Sequence, residues 1–309
     1  NDIPKVKPAR SLCMCGILWL GIRRVKPLIF WWSRARPLRQ APFVEVIIQS
    51  TPAAAAELLA RLIAHDLRAN PRLVLGLATG RTMESVYDRL ARMHREDGLS
   101  FATTHTFNLD EYVGLPASDP HSYRHYMQEH LFRHVDVDLR NTHLPHGDAP
   151  DLDAECRRYE DLIKHRGGID LQLLGIGQTG HIGFNEPLSA LHSRTRVKAL
   201  SPVTIAQNSP LFADPAKMPR RAITMGVGTI LEARRVVLLA TGAGKAEIIA
   251  KAVEGPITSM ISATALQMHA RCTVIVDEAA AAKLQGVDYY RWIFANEPEW
   301  EPYRQSANG

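Results

Sequence analysis

Two carboxylates, a histidine and a further glutamate lie where apolar runs of this chain give way to polar loops. Asp110 and Glu111 sit in TFNLDEYVGL, Thr106–Leu115. A carboxylate at a strand end can serve as a general base when partial burial raises its pKa towards neutrality. One of two adjacent carboxylates is expected to cap the following turn; that role falls to Glu111, and Asp110 is the candidate for chemistry. The second group is in GIGQTGHIGFNEP, Gly175–Pro187, where the run IDLQLLGIG ends. Glycines allow sharp turns and close approach of the backbone, but His181 and Glu186 serve neither purpose. A histidine moves protons near neutral pH, and a neighbouring carboxylate can orient it.

Two further loops are suited to anions. GLATGRT, Gly76–Thr82, leads from an apolar run into a helical one. Thr79, Gly80, Arg81 and Thr82 stand where exposed helix amides favour negative charge. ATGAGKAEII, Ala240–Ile249, repeats the arrangement with Lys245 at a helix start. A lysine is better placed at a helix C-terminus, so its position suggests an anion held between it and the amides. The plainer alternatives are a simple turn and a solvated lysine. Neither loop has the phosphate-loop or dinucleotide glycine pattern.

The elements that must position these loops follow from periodicity. FVEVIIQ, RLVLGLATG, IDLQLLGIG, RRVVLLATG and CTVIVD read as strands, and ATTHTFNLDEYVGL as a strand ending in polar residues. AAAAELLARLIAHDL is a helix capped by Thr51, with Pro52 at its first position and Leu58, Leu59, Leu62, Ile63 and Leu67 along one stripe. SATALQMHA also reads as a helix. Apolar strands alternating with amphipathic helices predict a three-layer α/β fold: an open, mainly parallel, Rossmann-like sheet with helices on both faces. In such sheets ligands bind beyond the carboxyl ends of the strands, where all four loops fall. No linker interrupts residues 43–285, which read as one catalytic domain. Residues 286–309 read as a tail; its aromatic stretch YYRWIFANEPEWEPY leaves open a lid, a subunit contact or a surface tail.

Residues 1–42 differ from the rest. Nine of the basic side chains and one acid fall within residues 1–40, a balance of +8, whereas the remainder carries −3 within the overall +5. The body is therefore mildly acidic, which argues against a nucleic-acid-binding face. The apolar run SLCMCGILWLGI is shorter than the ~20 residues that span a bilayer and has no clean cleavage site behind it. We read this segment as a disordered extension or as upstream sequence from a misassigned start, not as a membrane anchor. The four cysteines, Cys13, Cys15, Cys156 and Cys272, have no metal-site or disulfide spacing, which fits a reducing compartment.

TFNLDEYVGL and GHIGFNEP, supported by GVGTILEA, SRTRVK and AECRRYE, resemble the glucosamine-6-phosphate deaminase (isomerase) family over residues 43–284. The resemblance implies conversion of glucosamine 6-phosphate to fructose 6-phosphate and ammonia, without metal or redox cofactor. It implies ring opening assisted by His181 with Glu186 orienting it, and proton transfer by Asp110. It also implies a phosphate site formed by residues 79–82 and Lys245. Cytoplasmic location and a homotrimer or hexamer are implied in the same way. SRTRVK resembles the effector-binding segment of allosteric members, nominating Ser189, Arg196 and Lys198; a solvated strand face is the alternative reading.

Two positions depart from the family. Thr179 stands where the family carries Asp or Asn in the relay with histidine and glutamate, and Pro210 stands where it carries a phosphate-binding arginine. Arg81 is the candidate replacement for that charge. These departures keep another phosphosugar, such as galactosamine 6-phosphate, as an alternative substrate. A sugar-phosphate sensor on the same fold is the non-enzymatic alternative, disfavoured by the presence of Asp110, His181 and Glu186 together.

Overall fold

Short runs of β-branched and leucine residues set the centre of the protein. The computed structural model describes residues 44–304; the readings made for residues 1–42, and the last five residues of the C-terminal stretch, lie outside it. The ten strands are β1 (Val44–Gln49), β2 (Val74–Leu77), β3 (His105–Asn108), β4 (Asp110–Tyr112), β5 (Thr142–His143), β6 (Leu171–Leu174), β7 (Arg196–Ala199), β8 (Arg221–Thr224), β9 (Arg235–Ala240) and β10 (Cys272–Asp277). The α-helices are α1 (Pro52–Ala69), α2 (Arg81–Asp97), α3 (Tyr123–His130), α4 (Leu152–His165), α5 (Pro202–Asn208), α6 (Val227–Leu231), α7 (Ala246–Val253), α8 (Glu278–Ala281), α9 (Val287–Asn296) and α10 (Glu301–Arg304).

Seven strands form one sheet in the order β1-β10-β9-β6-β2-β3-β5. All of its pairings are parallel. Every residue of β2, β6, β9 and β10 is buried, as expected for strands covered on both faces. Helix α1 starts as its sequence predicts: Thr51 Oγ1 accepts the Ala54 N–H at 3.1 Å, and Leu58, Leu59, Leu62, Ile63 and Leu67 are buried. The segment Ser262–Met268 is a 3₁₀ helix, not the α-helix expected for SATALQMHA.

From β2 the chain proceeds outward through β3 to β5, then returns to place β6 on the other side of β2 and β9 beyond it. The loops after β2 and β6 therefore diverge from neighbouring strands, the arrangement that opens a ligand crevice. The four sequence loops follow β9, β6, β2 and β3, which are consecutive in the sheet.

A second, antiparallel sheet, β4-β8-β7, was not part of the expectation. β3 does not run on into Asp110. At Leu109 the backbone N–H still bonds to Leu77 O at 3.2 Å, while its carbonyl accepts Met225 N–H at 2.7 Å. The next three residues then pair with β8, Asp110 opposite Thr224.

The C-terminal residues pack on the domain. Trp300 is completely buried, and its indole Nε1 donates to Glu45 Oε1 of β1 at 3.3 Å. Arg61 of α1 donates to Pro302 O at 2.6 Å. The stretch thus covers the outer strand of the sheet with its helices. Replacing Trp300 by Ala is expected to cost about 3–5 kcal/mol of stability by urea denaturation. A loss below about 1 kcal/mol would show that this packing contributes little.

Candidate active site

Asp110 leaves β3 pointing into a region from which water is largely excluded. The residue is 6% exposed, and its carboxylate accepts no hydrogen bond among the described residues. Burial, reinforced by the negative charge of Glu111, raises its pKa to about 8. Glu111 is also buried, and burial raises its pKa too, but its surroundings differ. Oε1 accepts the N–H groups of Tyr112 at 2.8 Å and Tyr123 at 2.9 Å, and Oε2 accepts that of Arg124 at 3.0 Å. Three amides stabilise the ionised form, so Glu111 ionises first and leaves Asp110 as the poised group. Glu111 takes the capping part expected of it, at the start of α3.

The loop after β6 is shaped around its histidine. A Cβ on Gly177 would lie 2.1 Å from His181 Nε2, so the ring occupies the space a side chain would need. His181 Nδ1 lies 2.8 Å from Thr179 Oγ1 and 3.3 Å from Glu186 Oε2. Further on, Gly183 adopts φ +54°, and a Cβ there would stand 3.0 Å from Thr224 Oγ1 and 3.5 Å from Asp110 Oδ2. This close passage brings the histidine loop to the Asp110 carboxylate. Thr224 Oγ1 holds the loop in place by accepting Phe184 N–H at 3.0 Å.

The anion-binding candidates fall on the neighbouring loops. Arg81 opens α2 and is exposed, Gly80 precedes it, and Thr79 and Thr82 are half-buried. Gly80 supplies no side-chain cap, so the first amides of α2 have no side-chain partner there. Lys245 is not a solvated surface lysine: Nζ donates to Ile176 O at 2.6 Å, tying the β9 loop to the β6 loop. Burial lowers its pKa.

Ser189 and Arg196 are brought together, but through the loop that carries His181 and Glu186. Arg196 donates to Asn185 Oδ1 at 2.9 Å and to Ser189 Oγ at 3.0 Å, and Ser189 Oγ donates to Glu186 O at 2.7 Å. Lys198 lies on the same strand, half-exposed and outside this network. Arg196 is therefore engaged with its own protein, unlike a residue on a solvated strand face.

Sequence reasoning did not single out Asn185, Ser201, Thr204 or Thr224. Asn185 is completely buried and spends Nδ2 on Ile182 O and Met225 O, both at 2.8 Å. It lies inside the motif FNEP, which was signal enough. Thr204 donates to Glu186 Oε1 at 2.5 Å from an unremarkable stretch, where a hydroxyl has no pattern to mark it.

Ionisable groups and open helix amides gathered at the switch point of a parallel sheet define an enzyme site for a small phosphorylated substrate. The chain belongs to the glucosamine-6-phosphate isomerase/6-phosphogluconolactonase family, whose model matches residues 49–275. It is 50% identical over 250 residues to the glucosamine-6-phosphate deaminase of Cellvibrio japonicus, covering 81% of this chain and 95% of that protein. It is 47% identical over 259 residues to the glucosamine-6-phosphate deaminase of Streptomyces coelicolor, covering 84% and 99%. Among solved structures, a monomeric glucosamine-6-phosphate deaminase is 44% identical and superposes with a TM-score of 0.76 over 77% of this chain and 99% of its own. The 6-phosphogluconolactonase of Trypanosoma brucei, 21% identical with a TM-score of 0.61 over 79% of this chain and 98% of its own, shares the fold.

The unbonded carboxylate has a consequence for stability. Below about pH 4, Asp110 is neutral in both folded and unfolded chains, and its charge changes nothing. As pH rises towards 8, the unfolded chain ionises first, and the fold loses stability relative to it. Asp110→Asn is therefore expected to raise Tm by several degrees near pH 7.5 and to leave it unchanged near pH 4. Equal Tm values for the two proteins at both pH values would contradict the raised pKa.

Proposed function

We infer that this protein converts glucosamine 6-phosphate and water to fructose 6-phosphate and ammonia. The observation that carries the reading is the Asp110 carboxylate, buried and unbonded, beside the loop that holds His181 and Glu186. The names of the relatives, 47–50% identical over more than 80% of the chain, support the same reaction.

The side chains divide the work by their surroundings. His181 moves a proton at the ring oxygen, opening the pyranose. Glu186 Oε2 lies 3.3 Å from Nδ1 and orients the ring, while Thr179 Oγ1 lies 2.8 Å from the same nitrogen and contributes no charge. Nε2, on the opposite side of the ring, is the nitrogen left for the sugar. Asp110 takes the C2 proton from the open-chain aldose and returns it to C1, which leaves an imine at C2. Water adds to that imine, and ammonia leaves. A base with a pKa near 8 is matched to this transfer: strong enough to accept the proton and neutral enough to give it back.

The substrate phosphate belongs at the start of α2, with Thr79, Gly80 and Thr82 offering amides and hydroxyls, Arg81 a mobile charge, and Lys245 a second charge from the neighbouring loop. Ser189, Arg196 and Lys198 remain the candidates for an effector phosphate; an anion there would compete for the Arg196 bonds to Asn185 and Ser189 and so act on the Glu186 loop. A homotrimer or hexamer in the cytoplasm completes this reading. The solved monomeric relative makes light scattering the natural check on assembly. Among the described residues no helix is long and apolar enough to cross a membrane.

The deciding experiment measures ammonia release from glucosamine 6-phosphate beside galactosamine 6-phosphate. Release from the first at a kcat/KM at least ~10-fold higher is expected; release from neither by folded protein would defeat the assignment. Arg81→Ala is expected to raise KM for the sugar phosphate about 10-fold while kcat changes little, as for loss of a charged contact present in both ground and transition states. An unchanged KM would remove Arg81 from the phosphate site.

A further inference from the structure

Glu186 is gripped from a side that its own loop does not supply. Its Oε1 accepts the hydroxyl proton of Thr204 at 2.5 Å and the N–H of Ser201 at 3.1 Å. Thr204 lies in α5, is 2% exposed, and has its Oγ1 3.2 Å from Ser201 Oγ, which donates to it. Two hydroxyls thus form a short chain ending on the carboxylate, and each bond polarises the next. The other carboxylate oxygen, Oε2, faces His181 Nδ1.

The grip is made without charge. The sequence of α5, PVTIAQN, has no ionisable side chain, so it meets the carboxylate with a hydroxyl and the amide that precedes the helix. The charged groups around Glu186 are His181 on its own loop and Arg196 of β7, which spans Asn185 and Ser189 on either side of it. Arg196 makes its bonds to those neighbours and none to the Glu186 carboxylate. The orientation of the carboxylate therefore depends on Oε1 being anchored. Without an anchor the group can rotate about its last bond, and either oxygen can turn from the histidine.

We infer that Thr204 is a positioning residue for the reaction: its hydroxyl fixes the Glu186 carboxylate so that one oxygen faces His181. The inference rests on the reading of Glu186 as the acid that orients His181. The electrostatics agree with the geometry. Burial alone would raise the Glu186 pKa, but the bonds from His181, Thr204 and Ser201 bring it down to about 2. Valine in place of Thr204 keeps the branched shape and removes the donor, whereas serine keeps the donor and removes a methyl.

The test compares Thr204→Val, Thr204→Ser and Glu186→Gln by steady-state kinetics across pH, together with the Glu186 carboxyl pKa from NMR of glutamate-labelled protein. For Thr204→Val, kcat is expected to fall about 10-fold with KM unchanged, and the Glu186 carboxyl pKa to rise by about one unit. Thr204→Ser is expected to restore both. A Thr204→Val protein that loses activity while the Glu186 pKa stays in place overturns the proposal, because the threonine then serves packing alone. If the pKa rises but kcat does not change and Glu186→Gln is fully active, the positioning role falls because Glu186 itself has no part in catalysis.

Discussion

A largely buried carboxylate, Asp110, that accepts no hydrogen bond among the described residues is the constraint around which this site is built. The donors nearby go to the next residue along the chain: two amides at the start of α3, Tyr123 and Arg124, and the Tyr112 amide of β4. Glu111 takes all three. The break in β3 at Leu109 is what separates the two fates: it turns Asp110 towards the histidine loop and registers it opposite Thr224. Burying an unpaired carboxyl opposes folding, and the continuous apolar core of the seven-stranded sheet offsets it. The same desolvation that costs stability raises the Asp110 pKa to about 8, the range a proposed base would need.

The histidine is defined by contacts on both ring edges. Gly177 leaves room for Nε2, and Thr179 and Glu186 meet at Nδ1. Threonine at 2.8 Å is the nearer partner, and it can accept a proton's hydrogen bond without bearing charge. Glu186 at 3.3 Å is the carboxylate paired with the ring among the described residues, so any electrostatic part of the proposed relay falls to it. That places unusual weight on whatever holds Glu186. Thr179, which stands where the family carries Asp or Asn, lies at hydrogen-bond distance from Nδ1, and the nearest paired carboxylate charge, on Glu186, lies further away.

Much of the fold could be read from residue patterns, because strands buried on both faces leave uninterrupted apolar runs and α1 carries its own cap and stripe. The placing of four loops at consecutive strands was also within reach, since α/β alternation forces parallel strands whose carboxyl ends share an edge. Other features depend on long-range contacts that no local pattern reports. β4 is three residues long and exists through pairing with β8, more than one hundred residues away in sequence. The burial of Trp300 depends on β1 at the opposite end of the domain. Thr204 is likewise visible through its partner alone. Arg196, nominated by its motif for an effector site or a solvated strand face, bonds instead to Asn185 and Ser189 of the histidine loop, a contact visible in the folded arrangement alone.

Asp110 is proposed as the group that carries hydrogen between C2 and C1. Its most direct test is the exchange of the C2 hydrogen of the amino sugar with deuterium oxide, followed by NMR for the native protein and for Asp110→Asn. The native protein is expected to incorporate deuterium during turnover, and the variant to do so about 10²–10⁴-fold more slowly while still binding the sugar phosphate. Exchange by the variant at the native rate would contradict the assignment of Asp110 as the base.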